Sequence, residues 1–141
     1  MCALVKQYGP LLGRILLSVI FIIAGFEKIT GFEQTAGYMA GKGLPMVEVL
    51  LVLTIIIELG GGLMILVGWK ARWAATAIFL FLIPVTLIFH PYWAFEGQEK
   101  IQNFQSFFKN LAIMGGMMYI MAFGSGPLSL DPTHGDREGG G

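Results

Sequence analysis

Cysteine is almost missing from this 141-residue chain: the only one is Cys2, beside the start. One thiol cannot close an internal disulfide, and with no C-x-x-C pair the chain has no thiol–disulfide chemistry of its own. Histidine is nearly as scarce, with His90 and His134 the two present, the second in a polar, glycine-ended tail. A bis-histidine haem needs two facing histidines inside the membrane, so that cofactor is excluded. There is no H-E-x-x-H, G-x-S-x-G, P-loop or cysteine cluster, and no residue set with metal-ligand spacing. Charge is sparse too: 13% of residues, against about 25% in soluble domains. It balances to a formal net zero, so neither nucleic acid nor an anionic lipid surface is indicated as a partner.

What fills the chain is apolar. Hydrophobic residues make up 55%, and 20 glycines suit close helix packing in lipid better than a soluble core. Four apolar stretches read as membrane spans: about Leu11–Ile29, Met46–Val67, Ala71–Phe89 and Asn103–Phe123. Arg14 and the poor cleavage site around Gly25 argue that the first is a retained span and not a signal peptide. The expected architecture is an all-α integral-membrane four-helix bundle, residues 1–130, followed by a polar, disordered tail, 131–141. The segment Gly31–Gly43 is read as a loop or short interfacial helix. Four spans put both termini on one side. The flanking Lys6, Lys70, Arg72 and Arg137 outnumber Lys42 and Lys100, favouring a cytoplasmic location for the termini. Trp69, Trp73 and Tyr8 mark one interface, and Tyr38, Tyr92 and Trp93 the other.

Each span carries polar residues at awkward depth. Glu58 is the only charge between Val49 and Val67, a stretch long enough to cross the hydrocarbon core. An ionised carboxylate there costs about 3 kcal/mol on insertion scales unless a partner or proton neutralises it. Arg14, Ser18, Phe21, Gly25 and Lys28 share one helical face of the first span, and Arg72, Thr76, Phe79, Ile83 and His90 one face of the third. Folding the chain at its loops sets Glu58 level with Leu17, one turn from Arg14, and Lys28 level with Glu48. Two interior ion pairs are therefore expected, Arg14–Glu58 and Lys28–Glu48, with Arg72 able to replace Arg14. Such pairs serve either to fix helix register or to mark a ligand or proton path. His90 is either an interfacial histidine or a polar lid on an internal cavity. Pro84 frees the carbonyl of Leu80, and Asn110 is placed to donate to it. Met114, Met117, Met118 and Met121 read as adaptable core.

The set of pieces resembles the DoxX family of bacterial inner-membrane proteins. Those pieces are Arg14; Ala24 through Phe32 (A-G-F-E-K-I-T-G-F); Glu58-Leu59-Gly60-Gly61-Gly62 running to Gly68 and Arg72; His90; Phe107-Phe108-Lys109-Asn110; and Gly124 through Pro127 with Ser129-Leu130-Asp131. The resemblance implies a four-helix membrane bundle with Arg14, Lys28, Glu58, Arg72, His90 and Asn110 in recurring polar positions. Some members of that family are linked to quinone-reducing oxidoreductases or redox-defence complexes and many have no assigned role, which leaves room for quinone as a bound group, for redox subunits as partners beside the lipid bilayer, and for homo-oligomerisation. The residues themselves show no cofactor and no redox group. Three functions stay open: a quinone-site or accessory subunit, a non-catalytic scaffold, and a small-solute or proton conduit.

Overall fold

A computed structural model describes residues 2–131 as helices joined by short turns. Helix α1 spans Cys2–Thr30 and α2 spans Phe32–Gly41. Next, α3 (Val47–Ile55), a π-helical turn (Ile56–Gly60) and α4 (Gly61–Val67) form one uninterrupted rod. Helix α5 covers Ala71–Phe89, and α6 covers Gly97–Phe123 after a short 3₁₀ turn at Tyr92–Ala94. Four of these rods are long and apolar enough to cross a membrane. Helix is the form such segments must take, because lipid offers no partner to an unpaired backbone group. The chain is an all-α integral-membrane four-helix bundle.

Its core is small and its outside is greasy. Phe21, Ile65, Ala74, Ala75, Ile78, Leu82 and Met117 pack at the centre. Leucine, isoleucine, valine and phenylalanine side chains from every span point outward. That inverted pattern belongs to a surface solvated by acyl chains. Trp69 and Trp73 are exposed at one end of the bundle, and Tyr38 and Trp93 at the other, where headgroups meet amphipathic rings. Helix α1 packs along the α3–α4 rod, α4 against α5, and α5 against α6. Helices α1 and α6 instead flank a groove.

The α1 face read from the sequence is the buried one: Arg14, Ser18, Phe21 and Gly25 are all covered. On α5 the expected face is displaced. Arg72 and Ile83 are exposed, whereas Ala71, Ala74, Ala75, Ile78, Leu82 and Thr86 are buried. The alanines win that position because α4 approaches closely, with Ile78 lying against Gly61.

The register between α1 and its neighbour also differs from the expected one. A Cβ on Gly25 would stand 2.9 Å from the Cβ of Leu59, and Gly62 lies against Phe21 and Ile22. This shifts α1 by about nine residues, roughly 13 Å, from a fold centred on the connecting loop. The cause is α2. It fills the segment left open as loop or helix, packs on α3, and lets α3 project past the end of α1. The crossing is tight enough that backbone meets backbone at Gly25.

At the other end, the segment after α6 folds back. Leu130 N–H donates to the Val67 carbonyl at 3.2 Å and Asp131 N–H to that of Gly68 at 2.7 Å. Asp131, expected in a disordered tail, is thus held against the bundle; the rest of that tail, 132–141, lies outside the described residues.

A polar cavity under α2 as the candidate functional site

Glu58 sits in the π-helical turn, about midway along the rod from Val47 to Val67. Such turns are rare and recur at functional positions, because the extra residue re-aims a side chain. Glu58 is 6% exposed. Its partner is Lys28, whose Nζ donates to Oε2 at 3.1 Å. Among the described residues this is the one ion pair within contact distance. Both pairings expected from the sequence are therefore corrected: Glu58 takes Lys28 and not Arg14, and Lys28 takes Glu58 and not Glu48. Glu48 is exposed in the first turn of α3, where a carboxylate suits the helix dipole. The register offset alone accounts for the exchange.

Around this pair lies a cavity of about 220 Å³. Lys28, Thr54 and Glu58 form its polar side, Phe81, Val85 and Phe89 its apolar side, and Thr35, Tyr38 and Met39 of α2 its roof. Tyr38 and Phe89 are stacked with ring centroids 5.7 Å apart. Thr54 donates its hydroxyl hydrogen to the Leu50 carbonyl at 2.8 Å, which leaves its oxygen as an acceptor.

His90 closes the cavity where α5 ends. Its Nδ1 lies 3.0 Å from Oδ1 of Asn103. The Asn103 amide N–H donates to the Glu99 carbonyl at 2.8 Å, which fixes that amide's orientation. An Asn oxygen only accepts, so with this amide orientation Nδ1 is assigned as the donor. Asn103 was missed in the sequence, although its seven-residue spacing from Asn110 puts both on one face of α6.

The other candidates gather elsewhere. Asn110 is buried and donates to the Thr86 hydroxyl at 3.0 Å. That replaces its expected partner, the Leu80 carbonyl: Thr86 lies beyond Pro84, and its hydroxyl reaches across to α6. Arg14 sits at the opposite end of the bundle from Lys28. Its Nη1 donates to the Ile65 and Leu66 carbonyls at 3.3 and 2.9 Å. Its Nη2 donates to those of Pro127 and Leu128 at 3.4 and 2.7 Å. The Ile65 carbonyl also accepts from the Gly68 N–H at 3.2 Å, and the guanidinium thereby ties the end of α4 to the returning segment. Gly68 is obligatory here, with φ 71° and the Arg14 guanidinium and Ser129 where a Cβ would stand. Arg72 lies at this same end, with Nε 3.1 Å from the Cβ position of Gly124.

Asp131 completes that end. It accepts from the Lys70 N–H at 2.6 Å, the Ala71 N–H at 3.0 Å and the Ser125 hydroxyl at 2.7 Å, capping α5 from across the sequence. Burial opposes its charge, but the Ala71 N–H, the Ser125 hydroxyl, the Lys70 N–H and the Arg14 charge outweigh it, holding the carboxyl below its ordinary value. The polar residues thus divide into a cavity (Lys28, Glu58, His90), a strut (Asn110, Thr86) and a staple (Arg14, Asp131).

Comparison with known proteins identifies the family. The sequence model of the DoxX family matches residues 9–91. The chain is 38% identical over 126 residues to the inner membrane protein YqjF of Escherichia coli, covering 89% of this chain and 92% of that protein. It is 33% identical over 121 residues to the inner membrane protein YphA of the same organism, covering 86% of each. A Surfeit locus protein 4 homolog of Schizosaccharomyces pombe matches at 26% identity, with 89% of this chain but 37% of that protein covered. No solved structure matches the chain. With more than half its length inside the family match and both bacterial relatives aligned nearly end to end, the chain belongs to the DoxX family of inner-membrane proteins.

Proposed function

We propose that the cavity beneath α2 receives the headgroup of a quinone, and that the chain serves as a quinone-site or accessory subunit of a membrane redox system. The observation that carries this reading is the Lys28–Glu58 pair at 3.1 Å on the wall of a ring-lined cavity. A quinone ring needs flat apolar surfaces, a donor at a carbonyl oxygen, and a group that exchanges protons when the ring is reduced. Phe81, Phe89 and Tyr38 supply surfaces, Lys28 the donor, and Glu58 and His90 the exchangeable protons. At about 220 Å³ the space is smaller than the roughly 300–1,000 Å³ of drug-sized pockets, which suits one substituted ring with its tail outside. The chain supplies binding and proton handling; electrons would pass between the quinone and a partner subunit.

A short-chain quinone added to the purified protein tests this directly. Thermal stability should rise with quinone concentration in the wild type and not in Lys28→Met. No stabilisation at any soluble concentration would leave the Lys28–Glu58 pair as a structural staple. That second reading has its own support, since the Asn110–Thr86 bond is fully explained by holding helices together.

A further inference from the structure

A second opening in the bundle lies away from the cavity beneath α2. It is a groove of about 510 Å³ between α1 and α6, where Gly13 and Leu17 face Gly116, Tyr119 and Phe123. Its walls are almost wholly apolar, and Tyr119 and Phe123 are about 70% exposed along it (71% and 70%). One end is different. There the groove meets Arg14, Gly124 and Ser125, at the level of the Gly68 turn and the exposed Trp69 and Trp73. An apolar trench ending in a cation at the headgroup level has the shape of an amphiphile.

Arg14 supplies the second half of the argument. It is only 2% exposed, yet its Nε–H has no hydrogen-bond partner. Its remaining donors are used on four backbone carbonyls, none of which carries charge. Asp131 acts on it through space, but the Asp131 oxygens are engaged with Lys70, Ala71 and Ser125. A buried guanidinium held by neutral acceptors, with one donor unspent, is an incomplete anion site. Arg72 lies beside Gly124 at the same end.

We propose that this groove is a specific site for an anionic glycerophospholipid. One acyl chain lies between α1 and α6, and the phosphodiester sits at Arg14, its oxygen satisfying Nε directly or through one water. A helix from a second copy would fill the trench but bring only backbone already bonded within itself, and no anion. A zwitterionic lipid brings its own ammonium and so answers the charge less well. The chain has no net charge to attract anionic lipid in general, so selection has to come from this site.

Two glycines separate the site from the fold. A Cβ on Gly13 meets nothing within 4 Å, so a larger side chain there enters the groove without disturbing helix packing. Gly115 is equally open but lies outside the groove, which makes it the control. The protein is purified in mild detergent, delipidated and supplied with phosphatidylglycerol or phosphatidylethanolamine, and bound lipid is counted by native mass spectrometry. Wild type and Gly115→Leu should retain one phosphatidylglycerol per chain, about tenfold in preference to phosphatidylethanolamine. Gly13→Leu should retain neither. Equal retention of the two lipids, retention unchanged in Gly13→Leu, or a dimer that Gly13→Leu abolishes would each overturn the proposal, the last by giving the groove to a second copy. None of these outcomes depends on the quinone cavity.

Discussion

Removing Lys28 should harm the protein more than removing Glu58, and the two losses should not add. The Glu58 side chain is 8% exposed and that of Lys28 is 27% exposed. Lys28 stands two residues from the end of α1, within reach of the interface, so its ammonium can turn toward water when the carboxylate is gone. Glu58 has no such exit. Breaking a buried pair by deleting one partner costs about 3–5 kcal/mol in soluble proteins, and a lone charge in a span about 3 kcal/mol on insertion scales. A stranded Glu58 can also take up a proton, which limits the penalty. Lys28→Met is therefore expected to lose about 2–3 kcal/mol. Glu58→Gln should lose about 1 kcal/mol, since the amide keeps the shape of the side chain. The double variant should resemble Glu58→Gln alone, giving a coupling of about 2–3 kcal/mol. Reversible unfolding in mixed micelles, followed by circular dichroism across the four proteins, measures all three quantities. Additive losses, or rescue of Arg14→Met by Glu58→Gln where Lys28→Met is not rescued, would refute the pairing and the register it rests on.

Asp131→Asn should cost about 1–2 kcal/mol by weakening the cap on α5 and the bond from Ser125. Because the folded Asp131 carboxyl ionises below its unfolded value of about 3.9, its contribution is complete above that pH and is lost as the pH falls through the lower, folded value. Melting curves should accordingly show an acid-induced loss of stability in wild type that is smaller in Asp131→Asn. Asn110→Leu and Thr86→Val should each destabilise, while the double variant falls short of their sum by on the order of 1 kcal/mol; strict additivity in the same unfolding assay would mean the 3.0 Å bond contributes nothing. Reporter fusions at both termini should give the cytoplasmic signal and a fusion after Gly41 or Glu99 the opposite one, with split termini contradicting the four-span topology.

The bundle was legible in the sequence because lipid imposes a strong composition rule: four apolar runs broken by glycine, proline and charge. The buried face of α1 was legible too, since Arg14 and Ser18 stand out against leucine and isoleucine. On α5 the buried stripe is alanine, which hydrophobicity scarcely distinguishes from its lipid-facing neighbours. Which charge meets which depends on register, and register depends on how the ten-residue α2 seats against α3, which a fold centred on the connecting segment does not capture. The π-helical turn has no signature beyond the glycines that follow it. Arg14 found its partners among backbone carbonyls, which every residue carries and no side chain announces. Asp131 could be recognised as a cap only once the chain was seen to return to α5.

The central claim is that Lys28 and Glu58 together hold a quinone. Organic extraction of the purified protein, with the extract analysed for quinone against a matched membrane protein from the same preparation, tests it most directly. The account predicts quinone well above that background in wild type and in Gly13→Leu, whose groove is blocked but whose cavity is intact. It predicts background levels in folded Lys28→Met. Quinone at background in wild type, or undiminished in Lys28→Met, would contradict it.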